Sequence, residues 1–176
     1  RGDYVTGTIE LKSNVMIEIA EGARLLGSTD LAEYPEKIEQ IKSVMRELYE
    51  FRQSLIYAEN CSHIGIRGKG EIYFRGERVL FPGPQTTGKI IGRPMGIRLF
   101  GCQNVVFQDI SLRNAASWMI NAVACENMIF DRVKIENHAN YNNDGLDPDG
   151  CRNVIVRNCF FNTEDDAMCL KGGSRQ

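Results

Sequence analysis

Cys102-Gln-Asn-Val-Val-Phe107, Cys125-Glu-Asn-Met-Ile-Phe130 and Cys151-Arg-Asn-Val-Ile-Val156 are one segment written three times, at intervals of 23 and then 26 residues. A weaker copy, Cys61-Ser-His-Ile-Gly-Ile66, stands 41 residues before Cys102, which leaves room for one longer, irregular turn through Pro82, Pro84 and Pro94. A second short apolar run follows the three strong copies: Asp109-Ile-Ser-Leu112, Arg132-Val-Lys-Ile135 and Cys159-Phe-Phe161. Self-similarity at such a period marks stacked repeats. β-Branched and aromatic runs punctuated by Asn and Gly read as strands and turns, and the Leu-x-x-Leu-x-Leu consensus of leucine-rich repeats is missing. The expected fold is therefore all-β: a right-handed parallel β-helix, or β-solenoid, with every strand pairing with its copies about 4.8 Å above and below.

In such a stack Cys102, Cys125 and Cys151 form an internal column, and Asn104, Asn127 and Asn153 stack at the adjoining turn. The chain has six cysteines and no CxxC pair, so zinc and redox motifs are poorly supported. An even count also fits disulfides in an exported protein, but their shared place in the repeat favours reduced thiols used as small core residues. Between Asp30 and Phe51 the β pattern breaks. Ile38, Ile41, Met45, Leu48 and Phe51 follow Pro35 at helical spacing, which predicts a short helical insert over residues 36–51, acting as a cap or packing piece.

The net charge of -2 and pI near 5.8 supply no basic field, so nucleic acid is not an expected partner. Apolar runs such as Ala122–Ala124 and Met128–Phe130 fall far short of the ~20 residues of a membrane span, so no membrane is expected either. Gly83-Pro-Gln-Thr-Thr-Gly-Lys89 has the spacing of a phosphate-binding loop. However, Ile90 occupies the place of its Ser or Thr, and Pro84 lies within it. His63 and His138, the two histidines, are isolated and make no metal cluster. Tyr4-Val-Thr-Gly-Thr-Ile-Glu-Leu11 already alternates as a strand close behind Arg1, so an upstream segment is expected to have been removed, and the missing signal peptide says nothing about compartment.

Chemistry concentrates in Asn142-Asn-Asp-Gly-Leu-Asp-Pro-Asp-Gly150 and Asn162-Thr-Glu-Asp-Asp-Ala167. Asp144 and Asp165 are 21 residues apart, about one coil, so a solenoid makes them neighbours in space. Clustered carboxylates repel one another, so one keeps its proton while others stay ionised, and that division separates a general acid from a general base. Glycosidic cleavage requires this pairing. The competing reading makes these aspartates turn formers or a calcium site. Asp147 and Asp149 fit a turn well, while the EF-hand register is not met. Adjacent carboxylates in a regular strand face opposite ways, so Asp165 and Asp166 can share a site only where the strand bends.

These residues resemble glycoside hydrolase family 28, the polygalacturonase and rhamnogalacturonase group. The family's Asn-Thr-Asp-Gly is matched by Asn142–Gly145, with Asn143 in place of Thr. Its Asp-Asp motif is matched within Glu164-Asp-Asp-Ala-Met-Cys-Leu-Lys-Gly172, which is similar to bacterial members. The likeness extends through Tyr4–Val15, Gly22–Ser28, and Arg93-Pro94 to Asn114-Ala-Ala-Ser-Trp118. It implies Asp165 as the general acid and Asp144 and Asp166 as activators of the attacking water, with inversion of configuration and no cofactor. Asn142, His138 and Lys171 are the candidate substrate contacts. The substrate implied is a pectic polysaccharide or oligogalacturonide, and the protein is expected to be secreted or periplasmic and monomeric.

The family's Gly-His-Gly and Arg-x-Lys are not found before Gln176. The expectation is a single domain over residues 1–176 holding the N-terminal and central coils, with further coils missing. Two rivals remain. A uronate lyase or epimerase on the same fold would use the three aspartates to hold calcium, with Lys171 recruited as base. A β-helix adhesin or carbohydrate-binding domain would use none of them catalytically.

Overall fold

The structure, a computed structural model, describes residues 1–83 and 91–175. Apart from Gly83, the near-match to a phosphate-binding loop therefore lies outside the described residues. The chain is a right-handed parallel β-helix with three long parallel sheets. One coil contains Met95–Phe100 in the first sheet, Gln103–Gln108 in the second and Ser111–Arg113 in the third. The next contributes Ile120–Val123, Glu126–Asp131 and Lys134–Asn137, and the one after it Leu146–Asp149, Arg152–Arg157 and Phe160–Thr163.

Register keeps equivalent residues stacked: Val105 pairs with Met128 and Met128 with Val154, while Phe107 pairs with Phe130 and Phe130 with Val156. The inward positions form one core in which Ile64, Ile97, Leu99, Val105, Ile120 and Met128 are all fully buried. Phe107 and Phe130 stack with ring centroids 5.0 Å apart and planes 11° from parallel.

The six cysteines are free, and Cys102 and Cys125 are buried in the expected column, with Cys151 half-buried beneath them. The asparagine ladder has a backbone cause. His63, Asn104, Asn127 and Asn153 have φ of 56°, 55°, 56° and 54°, a left-handed conformation that Asn tolerates better than most residues. Their side chains then bond coil to coil, with Asn127 Nδ2 donating to Asn104 Oδ1 at 3.4 Å and Asn153 Nδ2 to Asn127 Oδ1 at 3.0 Å.

The predicted insert is present but less helical than its spacing suggests. A 3-10 turn at Leu31–Glu33 precedes it, and it contains a short strand Lys42–Ser43 antiparallel to Ser174–Arg175 and a helix confined to Val44–Tyr49. Ile38 and Leu48 are 71% and 60% exposed, so the apolar residues do not share one face. Phe51, and with it Met45 and Tyr49, packs instead on the outside of the first sheet, against Tyr57, Met95, Phe100, Trp118 and Val123. That sheet is consequently buried on both faces, and polar side chains on its outer face are held away from water.

Phe130→Ala removes a ring that touches the coil on either side, and should cost about 3–5 kcal/mol of stability. Chemical unfolding checks this; a loss below about 1 kcal/mol would show that the stack is loosely packed there.

Candidate active site

The site forms where the chain passes from the third sheet into the first, whose outer face is buried. Three buried amides hold its approach. Asn143 donates to Ala115 O at 2.9 Å and Ser117 O at 3.0 Å, and its oxygen accepts from Asn140 N. Asn137 donates to Ser117 O at 3.0 Å and to Asp144 O at 2.9 Å. Asn140 donates to Gly76 O at 3.2 Å and Phe81 O at 2.8 Å. Asn143 thus has a backbone-clamping role that a hydroxyl could fill only in part, since it has a single proton to donate.

Asp144 follows, buried, and Gly145 N donates to Asp166 O at 2.9 Å, tying it to the next coil. A Cβ at Gly145 would come 2.4 Å from Ala167 O, so the two backbones approach this closely only with glycine. The chain bends at Glu164 and Asp165 immediately after strand Phe160–Thr163. Thr163 Oγ1 donates to Asp165 O at 2.8 Å and Asp166 N to Asp165 Oδ1 at 3.0 Å, which fixes the bend. The bend turns both carboxyls toward Asp144: oxygens of Asp144, Asp165 and Asp166 lie within 4.8 Å of one another.

These carboxyls line a cleft of about 420 Å³ whose walls include Trp118 from the second coil edge and Met45 and Tyr49 from the insert. Tyr49 and Phe51 pack against the Trp118 ring at 5.4 and 5.3 Å between centroids. Of the expected substrate contacts, Asn142 and Lys171 line the cleft. Arg93 donates to Asn142 Oδ1 at 3.0 Å and to Tyr141 O at 2.7 Å, holding that loop. His138 is exposed and hydrogen-bonds Asn162 Oδ1 at 2.8 Å, outside the cleft lining.

Asp147 and Asp149 are not turn residues. Both stand in strand Leu146–Asp149, fully buried. Asp147 Oδ1 lies 2.9 Å from Lys171 Nζ. Asp149 accepts from Ser43 Oγ at 2.7 Å, Gly173 N at 2.6 Å and Ser174 N at 2.8 Å. Burial, then the charges of Asp147 and Asp165, pushes Asp144 well above the usual carboxylate range, with Lys171 opposing. Burial raises Asp147 likewise, and Lys171 holds it down in part.

Comparison with known proteins matches residues 5–176 to the family described as "Glycosyl hydrolases family 28". A Vitis vinifera protein named "Probable polygalacturonase" is 28% identical over 98% of this chain and 36% of its own length. An exo-poly-alpha-D-galacturonosidase of Dickeya chrysanthemi is 26% identical over 99% of this chain and 36% of its own. The chain thus spans about a third of the length of these curated relatives. The structure of a hyperthermoactive exopolygalacturonase from Thermotoga maritima superposes with a TM-score of 0.79 at 22% identity, covering 97% of this chain and 45% of that one.

A carboxyl whose folded pKa is raised adds stability at low pH and loses it as pH rises through the folded value. Asp144→Asn cannot ionise. In the complete protein it should match wild type near pH 3, where carboxyls are neutral anyway, and melt a few degrees higher at about pH 9. A lower midpoint at alkaline pH would show that the Asp144 carboxylate stabilises the fold.

Proposed function

Because the chain belongs to glycosyl hydrolases family 28, we propose that the complete protein hydrolyses glycosidic bonds in galacturonic-acid-containing polysaccharide, by acid/base catalysis and in a single displacement. The observation that carries this reading is the convergence of Asp144, Asp165 and Asp166, from two successive coils, on one cleft. Asp165, exposed at the bend, protonates the leaving oxygen. Asp144 and Asp166 take the proton of the attacking water. The carboxyls act as one coupled system, so their roles are set by where water and glycosidic oxygen sit as well as by burial.

Inverting enzymes usually separate acid and base by about 6.5–9.5 Å, whereas retaining enzymes use about 5–5.5 Å. One oxygen of each carboxyl lies within 4.8 Å of the others, which leaves little gap between the three groups. Room for the water must then come from the open side of the cleft and not from a gap between the carboxyls. Asn142 lines the cleft, which supports its reading as a sugar contact, and Trp118 and Tyr49 offer apolar wall. A polymer of this kind does not cross a bilayer, which supports an extracellular or periplasmic place of action. No described helix is long and apolar enough to cross a membrane.

The complete protein digesting polygalacturonate should release a new reducing end of inverted anomeric configuration, seen early by proton NMR, at a rate unaffected by EDTA. Asp165→Asn should fold and lose about 10²–10⁴-fold in kcat. Retention would make Asp144 or Asp166 a nucleophile. An unsaturated product, or loss of turnover in EDTA, would replace acid/base hydrolysis by calcium-dependent elimination.

A further inference from the structure

Lys171 lines the cleft, yet its charge is directed inward. Its side chain is 9% exposed, with Nζ 2.9 Å from Asp147 Oδ1 and 4.0 Å from Asp144 Oδ2, and 4.4 Å from the centroid of the Trp118 ring. The coil register produces this arrangement. Leu146 bridges Met168 and Asp149 bridges Lys171, so Asp147, Asp149 and Lys171 all stand on the outer face of the first sheet. Asp147 is fully buried and Asp144 nearly so. Asp144 Oδ1 and Asp147 Oδ2 find no hydrogen-bond donor among the described residues.

We propose that Asp147 and Lys171 form a positioning pair for Asp144: the ammonium, anchored by Asp147 and the Trp118 face, favours the ionised form of Asp144 against burial and keeps it oriented toward the water it activates, and does not bind the substrate carboxylate. This rests on Asp144 acting as a base in the reaction proposed above. The groups around Asp144 are Asp147 on its own strand, Asp165, Asp166, Cys169 and Lys171 on the next coil, and Tyr49 from the insert. Two of these carboxyls, Asp147 and Asp144, lie within 4.0 Å of the Lys171 ammonium. Burial lowers the pKa of Lys171, but the charge and hydrogen bond of Asp147 outweigh it, so the cation persists.

The pair predicts effects of opposite sign. Lys171→Met keeps the packing on Trp118 and removes the cation. It should lower kcat about tenfold or more with KM nearly unchanged, and should move the acidic limb of kcat/KM up by about 1 pH unit or more. Asp147→Asn removes the competing charge and leaves Lys171 to Asp144, so its limb should move down. The measurement is kcat and KM across pH on polygalacturonate for the complete protein and both variants, each first shown to melt cooperatively. Two results overturn the pair from Lys171→Met: a rise in KM with kcat retained, which makes Lys171 a substrate contact, or a limb left in place. From Asp147→Asn, a limb moving the same way as in Lys171→Met, or no activity at any pH, also overturns it. Failure of both variants to fold makes the pair purely structural and overturns it too. A wild-type protein with no hydrolytic activity would instead sink the preceding reading, and the inference with it.

Discussion

Parallel pairing in register, coil on coil, is the constraint on which every other feature of this molecule depends. Because Gln103 must face Glu126, and Glu126 must face Arg152, each position in a coil inherits its surroundings from the same position one coil away. A residue that suits a site therefore recurs there. Cys102 above Cys125 and Asn104 above Asn127 are consequences of that rule, in the core and at the left-handed turn respectively. The same rule puts Asp144 beside Asp166, since Gly145 N bonds Asp166 O.

The pairing also explains where the regular stack gives way. Pro148 occupies a strand position opposite Ala122, but it has no N–H to offer the coil that follows. Beyond it the pairing reduces to the isolated bridges Leu146–Met168 and Asp149–Lys171. Freed from a continuous ladder, residues 164–170 bend and present two adjacent carboxyls to one cleft. The insert completes the wall. Asp149, with donors from Ser43, Gly173 and Ser174, joins the insert to this loosened coil. Burying ionised groups is costly even when they are paired, and the first sheet buries Glu39 with Arg98 as well as Asp147 with Lys171. The expense falls on the sheet face that adjoins the candidate site.

The repeat was legible because stacking demands the same residue type at the same place, and Cys102, Cys125 and Cys151 satisfy it at near-constant period. The carboxyl cluster was legible because one coil is a known length, so residues 21 apart had to meet. Asp147 and Asp149 were misread because Asp-Pro-Asp-Gly has the composition of a turn, and only the neighbouring coil reveals it as strand. A signal did exist: Leu146-Asp-Pro-Asp-Gly150 and Met168-Cys-Leu-Lys-Gly172 have their glycines one coil apart, which aligns Asp149 with Lys171. Trp118, Tyr49 and Met45 left no such trace. They reach the cleft by packing between an insert and a sheet face, and neither local propensity nor period encodes that contact. His138 is the opposite case: it is near the motif in sequence, but its strand end carries it toward Asn162.

Burial favours the proton on Asp144, while the proposed reaction needs it on Asp165, and the two are compatible once substrate is considered. Asp144 is already buried by the protein itself, and Lys171 offsets part of the cost. Asp165 and Asp166 are exposed. A polysaccharide chain laid over the cleft would strip water from these two and leave Asp144 little changed. In the proposed reaction the glycosidic oxygen offers a hydrogen-bond acceptor to the carboxyl that carries the proton. With the proton drawn to that contact, the negative charge is left on the carboxyl nearest Lys171. On the proposed reading, the Lys171 cation and the bend at Glu164 and Asp165 would together let substrate binding assign the acid and the base.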